Sequence, residues 1–379
     1  MKTIYFDHSA TTPVDRRVLE KMIPYFSENF GNPSSVYSLG KNNKEIINIY
    51  RMKIANILNC KTNEIYFTSC GSESDNLIIK GIAYANRNRG NHIITTSIEH
   101  PAVLNTCKTL EKNGFIVTYL RPRSNGIIDL NDLLRSIRRN TILISVMYAN
   151  NEIGTIEPID EIGTVAKKYG IYFHTDAVQA AGNIKIDVKK SKIDALSISS
   201  HKFYGPKGVG IAYVSEKVPF SRIQDGGHQE RDKRAGTENV PGIVGTGVAL
   251  EIASNEIDYN YAYLKQLRDY YIREIKKRIP NIIINGDLEK RLPGNANISF
   301  SGINGAQLLE ELDKKGICAS SGSACSAGLL TPSHVLLSIG LSNALAKSSL
   351  RITFGKENTI EEVDYLIGSL QEIVGKMRN

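Results

Sequence analysis

Five short stretches hold the side chains that could do chemistry. FTSCGSESDN (67–76) runs from an apolar, β-rich stretch into Gly71 and Ser72 and then into a helical pattern. Backbone N–H groups at a helix start, with a hydroxyl beside them, make a cradle for a phosphate. Ser72 followed by Asp75 is also an ordinary capping box, so this stretch decides nothing alone. SIEHPAVL (97–104) sets His100 before Pro101, where a strand gives way to a helix. FHTDAVQAAG (173–182) places Asp176 and Gln179 after one β-rich run, and SISSHKFYGPKGVG (197–210) places Ser199, His201 and Lys202 after the next. A lone histidine is more often structural, and Asp176 with Lys202 could be an ion pair. The fifth stretch, ASSGSACSAG (319–328), surrounds Cys325 with nothing larger than serine.

Taken together, the first four stretches meet the needs of pyridoxal phosphate: a lysine for a Schiff base, a carboxylate to hold the pyridine nitrogen protonated, a phosphate cradle and a flat group for the ring face. No GxGxxG lies between a strand and a helix, and there is no GxxxxGK[ST], so nicotinamide and nucleotide-triphosphate readings are disfavoured. GPKGVG at 205–210 leads into a strand and reads as a turn.

Around Cys325 the composition makes its own argument. Fixing a backbone costs about 1–2 kcal/mol per residue, and serine, alanine and glycine bury too little apolar surface to offset that. A mobile, exposed thiol is therefore expected. With a reference pKa near 8.5 it is only a few per cent thiolate at neutral pH, yet it is the best nucleophile in the chain. The other cysteines, Cys60, Cys70, Cys107 and Cys318, read as packing residues.

The elements that must position these groups follow from periodicity. Between about residues 64 and 215 seven β-rich runs alternate with helical stretches, the pattern of a mostly parallel sheet covered by helices, in which ligands gather at the carboxyl ends of strands. Helices are predicted over 16–26, 44–58, 74–85, 101–112 and 159–169, and a long helical region runs from about 240 to Arg278. NIIINGD, NANISFSG, GAQLLEELDKKG, LRITFG and a helix from Ile360 then suggest a smaller α+β unit. With 379 residues, about two domains are expected: a large one over 15–255 and a small one formed by 1–14 and 256–379, carrying the cysteine loop at about 319–331.

Composition excludes several classes. Five cysteines without a CxxC pair indicate neither a disulfide framework nor a metal site. The net charge of +8 comes from 47 basic and 39 acidic residues interleaved along the chain, so solvated helix faces are favoured over direct nucleic-acid contact. The start MKTIYFDHSATTPVD lacks a leader pattern and no stretch reaches membrane-spanning length, so a cytoplasmic protein is expected.

Nearly the whole chain resembles the NifS/IscS-type cysteine desulfurases, class V, fold type I pyridoxal-phosphate enzymes. The resemblance is carried by YFDHSATTPV (5–14), FGNPSS (30–35), FTSCGSESDN, IEHPAVL, ANNEIGTI (149–156), HTDAVQAAG, SSHKFYGPKGVG, GGHQERDKRAGTEN (226–239) and SSGSACS (320–326). It implies Lys202 as the Schiff-base lysine, Asp176 on the pyridine nitrogen, His100 on the ring face, and Asn151 and Gln179 at the ring oxygen and neighbouring groups. It implies Gly71, Ser72, Ser199 and His201 at the phosphate, joined by Thr237 from a second copy in a homodimer. Arg351 is implied to grip the substrate carboxylate, with Asn151 also contacting the substrate, the alternative for Arg351 being a strand-edge arginine paired with a helix carboxylate. The implied reaction converts L-cysteine to L-alanine and leaves a persulfide on Cys325, with His100 carrying a proton at the thiol. A sulfur-acceptor protein such as an iron–sulfur scaffold would receive the atom. Ser72 replaces a common threonine and DHS (7–9) a common DNS, both keeping polar character. The end KMRN lacks the longer tail of housekeeping members, which leaves the acceptor open. Rival readings are a transaminase or selenocysteine lyase on the same framework, and a sulfur carrier or RNA-binding partner that has lost the cofactor.

Overall fold

Seven short apolar runs assemble into one sheet; six of them are buried almost throughout, which is why they read as continuous rather than alternating, and the seventh, at the edge, is half-exposed. The computed structural model describes residues 3–321 and 331–378. Its strands are β1 (Ile4–Tyr5), β2 (Ile65–Thr68), β3 (His92–Thr96), β4 (Ile116–Leu120), β5 (Thr141–Ser145), β6 (Tyr172–Asp176), β7 (Ala195–Ser199), β8 (Gly210–Val214), β9 (Ile282–Ile284), β10 (Asn295–Phe300), β11 (Ile317–Cys318) and β12 (Ser349–Thr353). The large sheet has the order β2-β8-β7-β6-β5-β3-β4. Strands β3 to β7 pair in parallel, whereas β8 runs antiparallel to both β2 and β7. One buried polar residue inside these strands is satisfied by its neighbours: His174 on β6 contacts Ser145 Oγ of β5 at 2.9 Å and Ser197 Oγ of β7 at 3.0 Å.

The predicted helices over 101–112 and 159–169 form with those bounds, and the one over 44–58 is the end of a longer helix, Ser38–Leu58. The expected 16–26 helix is divided into Arg16–Met22 and Pro24–Ser27, because Pro24 has no N–H to continue the ladder. Likewise the region after 240 breaks at Glu256 into Val240–Asn255 and Ile257–Arg278. A helix at Leu130–Ser136 was not anticipated.

A second core lies against the first. It gathers Phe6, Leu264, Tyr271, Ile298, Phe300, Leu350 and Leu366 around the antiparallel sheet β12-β10-β9. The N-terminal segment joins this core: β1 pairs in parallel with β11, Ile4 opposite Ile317, and Phe6 is fully buried in it. Among the described residues no helix is long and apolar enough to cross a membrane, and no cluster of His, Cys, Asp and Glu could hold a metal ion. Cys325 and the mobility expected around it lie outside the described residues.

Candidate active site

Parallel pairing brings the carboxyl ends of β3, β5, β6 and β7 to one side of the sheet, and two antiparallel steps return β2 to the same direction. The residues that follow these ends are the predicted ones. A cleft of about 620 Å³ is lined by Gly71, Ser72, His100, Asn151, Asp176, Gln179, Ser199, His201, Lys202 and, from β12, Arg351. Thr237 is exposed and does not line it.

The cradle lies at the start of helix Gly71–Ala85. Its N-cap is Cys70, whose side chain makes no cap bond, so the first-turn N–H groups are left for a ligand. The capping box read from Ser72 and Asp75 does not form. Glu73 instead accepts the Ser69 N–H at 2.7 Å, while Asp75 is 1% exposed, with its Oδ1 3.7 Å from His174 Nε2. Gly71 is required by a close approach: a Cβ there would lie 2.6 Å from Val178 Cγ2 and 3.3 Å from Ser199 Cβ. Beside it, the Ser199 hydroxyl is buried with no hydrogen-bond partner among the described residues. A buried hydroxyl without a partner costs stability, so its place at an uncapped helix start fits an anionic ligand such as a phosphate.

Lys202 follows β7 on a single helical turn, Ser200–Lys202. Its Nζ donates to the carbonyls of Ser9 (2.7 Å) and Ala10 (2.6 Å). The N-terminal strap is fastened over this turn, with the Thr12 N–H and hydroxyl both donating to the His201 carbonyl at 3.0 Å and Thr11 Oγ1 3.0 Å from His201 Nδ1. Gln179 donates to the Ser9 carbonyl at 3.0 Å.

Asp176 ends β6 with Oδ1 accepting the Val178 N–H at 2.9 Å. Burial pushes its pKa up to about 6, opposed by that N–H and by the Lys202 charge. A cationic ring N–H placed against it would offset the burial and favour the ionised form. His100 is the N-cap of helix Pro101–Lys112, its Nδ1 accepting the Ala102 N–H at 3.1 Å. Burial, with the Lys202 and His334 charges, lowers its pKa to about 4, so the ring is neutral and its proton is on Nε2.

Arg351 is 2% exposed. Its Nη2 donates to Asp7 Oδ1 at 2.7 Å and its Nη1 to the Asn151 carbonyl at 3.1 Å, while Nε has no partner among the described residues. The carboxylate partner thus comes from the N-terminal segment and not from a helix.

Among the lining residues not anticipated as site residues are three carboxylates and a histidine: Asp75, Glu99, Glu152 and His334. Glu99 accepts from Thr96 Oγ1 (2.7 Å) and the Met147 N–H (2.9 Å), yet burial holds its pKa well above the carboxylate range. Asp75 is raised in the same way, by burial and then by the charge of Asp176. Glu99 adjoins His100 in the quoted motif and Asp75 lies in FTSCGSESDN, so position along the chain was the only available signal.

Residues 4–366 match the aminotransferase class-V family. The cysteine desulfurase IscS of Clostridium botulinum is 53% identical over 379 residues, covering 100% of this chain and 96% of that protein. A NifS-like protein structure superposes with a TM-score of 0.93 at 39% identity, covering 99% of this chain and 100% of that one. A structure of SspA in complex with cysteine gives 0.83 at 40% identity, with 93% and 99% covered. With its strand-end cleft in place and more than half its residues shared end to end with such a relative, the chain belongs to the cysteine desulfurases of the class-V aminotransferase family.

Proposed function

We propose that the protein is a pyridoxal-phosphate-dependent cysteine desulfurase that converts L-cysteine and the Cys325 thiol into L-alanine and a Cys325 persulfide. The observation that carries this reading is the meeting, in one cleft, of Lys202, Asp176, an uncapped helix start with the partnerless Ser199 hydroxyl, and the buried Arg351 guanidinium. When bound, pyridoxal phosphate supplies an electron-withdrawing ring that loosens bonds at the substrate's α- and β-carbons. The residues present fit that group. Gly71, Ser72, Ser199 and His201 would hold its phosphate, Asp176 its ring nitrogen, Asn151 and Gln179 its ring oxygen side, His100 its face and Lys202 its aldehyde carbon.

Arg351 is held in place by Asp7 and the Asn151 carbonyl and would bind the carboxylate of L-cysteine. A hydrogen bond to a charged group contributes about 1.5–3 kcal/mol. Lys202 would take the proton from the substrate Cα. His100 would carry a proton at sulfur through Nε2, because Nδ1 is already engaged by the Ala102 N–H. Cys325, as thiolate, would take the sulfur atom: the substrate's Cβ–S bond breaks, an S–S bond forms, and the carbon skeleton leaves as alanine.

Thr237, exposed and away from its own chain's cleft, is where a residue serving a second copy's phosphate would be, which supports a homodimer with shared sites. Two of the hydrophobic cores, one drawn from Val18 to Ala253 and one from Phe6 with Leu264 to Val374, support the division into a large unit over 15–255 and a small one of 1–14 and 256–379. A cytoplasmic setting and onward transfer to a sulfur-acceptor protein, such as an iron–sulfur scaffold, complete the reading.

The test is alanine and persulfide formation from L-cysteine by the wild type, Cys325→Ser and Lys202→Ala. Cys325→Ser should bind the cofactor but release no sulfide, and Lys202→Ala should lose the cofactor's Schiff-base absorbance. Wild-type sulfide release by Cys325→Ser would remove the assignment, and alanine formation that requires a keto acid would favour a transaminase.

A further inference from the structure

After Cys325 the chain re-enters the described fold at Thr331, and Thr331 to His334 line the cleft. Two contacts fasten this stretch to the cleft wall. The Ser333 hydroxyl donates to Glu152 Oε2 while accepting the N–H groups of Val335 (3.1 Å) and Leu336 (3.2 Å), which caps helix His334–Ser338. One residue on, His334 Nε2 donates to the Glu99 carbonyl at 3.0 Å.

The two anchors are not scattered. Glu99 immediately precedes His100, and Glu152 immediately follows Asn151. The stretch is therefore fastened to the neighbours of two of the residues assigned to the cofactor's ring, His100 and Asn151. Glu152 is itself fixed at both ends of its backbone, its N–H donating to Asn150 Oδ1 (2.9 Å) and its carbonyl accepting from Asn297 of β10 (3.1 Å). A small core of Ile98, Met147, Ile153, Val335 and Leu336 backs the junction. Glu152 is 5% exposed, a placement that costs stability unless its carboxyl is hydrogen-bonded, as it is by Ser333. Burial raises its pKa to about 7, against the opposing effects of Ser333 and the Arg351 charge.

We propose that Glu152 is a positioning residue for sulfur transfer: through Ser333, and together with the Glu99–His334 contact, it fastens the segment that follows Cys325 to the residues beside the cofactor ring. This rests on the desulfurase reading and adds to it. Glu152 touches neither the substrate sulfur nor Cys325 in this role. It fixes where the return end of the cysteine segment begins, and a displacement of about 1 Å at a reacting centre can cost about a hundredfold in rate.

The experiment uses the full-length, cofactor-loaded protein in single turnovers with L-cysteine. It follows two signals: the cofactor absorbance change on substrate binding, and persulfide on Cys325 by mass spectrometry. Glu152→Leu should leave the absorbance step near the wild-type rate and slow Cys325 loading by about ten- to a hundredfold. Glu152→Gln, whose amide oxygen can still accept from Ser333, should recover most of the loss, which a purely space-filling role would not require. Ser333→Ala should slow loading in the same sense and carries the test if Glu152→Leu fails to fold. Wild-type loading in Glu152→Leu, equal losses in both signals, or Glu152→Gln no better than Glu152→Leu would each overturn the inference. Failure of the wild type to load Cys325 would overturn the desulfurase reading instead.

Discussion

Ser199→Ala should move two measurements in opposite directions. In the ligand-free chain the Ser199 hydroxyl is buried without a hydrogen-bond partner among the described residues. Leaving a buried hydroxyl unsatisfied costs roughly 1–3 kcal/mol, and alanine removes that cost while deleting one atom. The cofactor-free variant should therefore melt no lower than the wild type. With the cofactor bound, the proposed role has the same hydroxyl donate to the phosphate, and such a charge-assisted bond would contribute about 1.5–3 kcal/mol. At about 1.4 kcal/mol per tenfold, affinity should fall by roughly ten- to a hundredfold. The assay strips the cofactor, records the melting temperature, and titrates pyridoxal phosphate back by absorbance. A variant that binds the cofactor as tightly as the wild type would refute the cradle. One that loses several kcal/mol before the cofactor is added would show that the hydroxyl has a structural partner.

Gly71→Ala, which forces Val178 Cγ2 away from a contact of 2.6 Å, should cost about 1–3 kcal/mol in thermal unfolding and weaken cofactor binding by crowding Ser199. Glu230→Ala leaves the Arg51 guanidinium buried without the carboxylate that it meets at 2.7 Å, and should cost about 3–5 kcal/mol in denaturant unfolding. Glu157 is buried, its Oε2 accepting the Ile128 N–H at 3.0 Å, and burial pushes its pKa up to about 8. The folded chain thus keeps a proton that the unfolded chain releases near the ordinary value of 4.5, so the wild type should lose stability relative to Glu157→Gln as the pH rises from about 4.5 to about 8, by up to about 1.4 kcal/mol per unit, and no further above it. Denaturation midpoints of the two proteins at pH 5 and pH 8.5 check this.

How legible these features were depended on whether a signal was local. Six of the seven strands were readable because they are buried almost throughout, which makes each a continuous apolar run, and the half-exposed edge strand Ile116–Leu120 was readable from its β-rich composition. Lys202, Asp176 and His100 were readable because strand ends are marked by an abrupt switch to polar residues. Glu256 and Pro24 interrupt helices where the periodicity carries straight through, and for Pro24 the missing N–H is the cause. Asp75 and Glu152 show what local patterns cannot convey. Asp75 reads as the fourth member of a capping box but faces His174 across the core, since a helix start can be capped from behind, as Glu73 does for Ser69. Glu152 looks like any loop carboxylate until Ser333, 181 residues away, closes over it. The Ser9 and Ala10 carbonyls that meet Lys202 are likewise invisible as a site, because backbone acceptors have no residue signature.

A desulfurase of this design must deliver the substrate's sulfur to the thiol at position 325. L-cysteine carrying a heavy sulfur isotope, mixed with the cofactor-loaded protein and quenched within one turnover, answers this by peptide mass spectrometry alongside an alanine assay. One heavy sulfur atom on the Cys325 peptide for each alanine formed is the expected result. Alanine accumulating while that peptide stays unlabelled, or labelled sulfur on another cysteine, would contradict it.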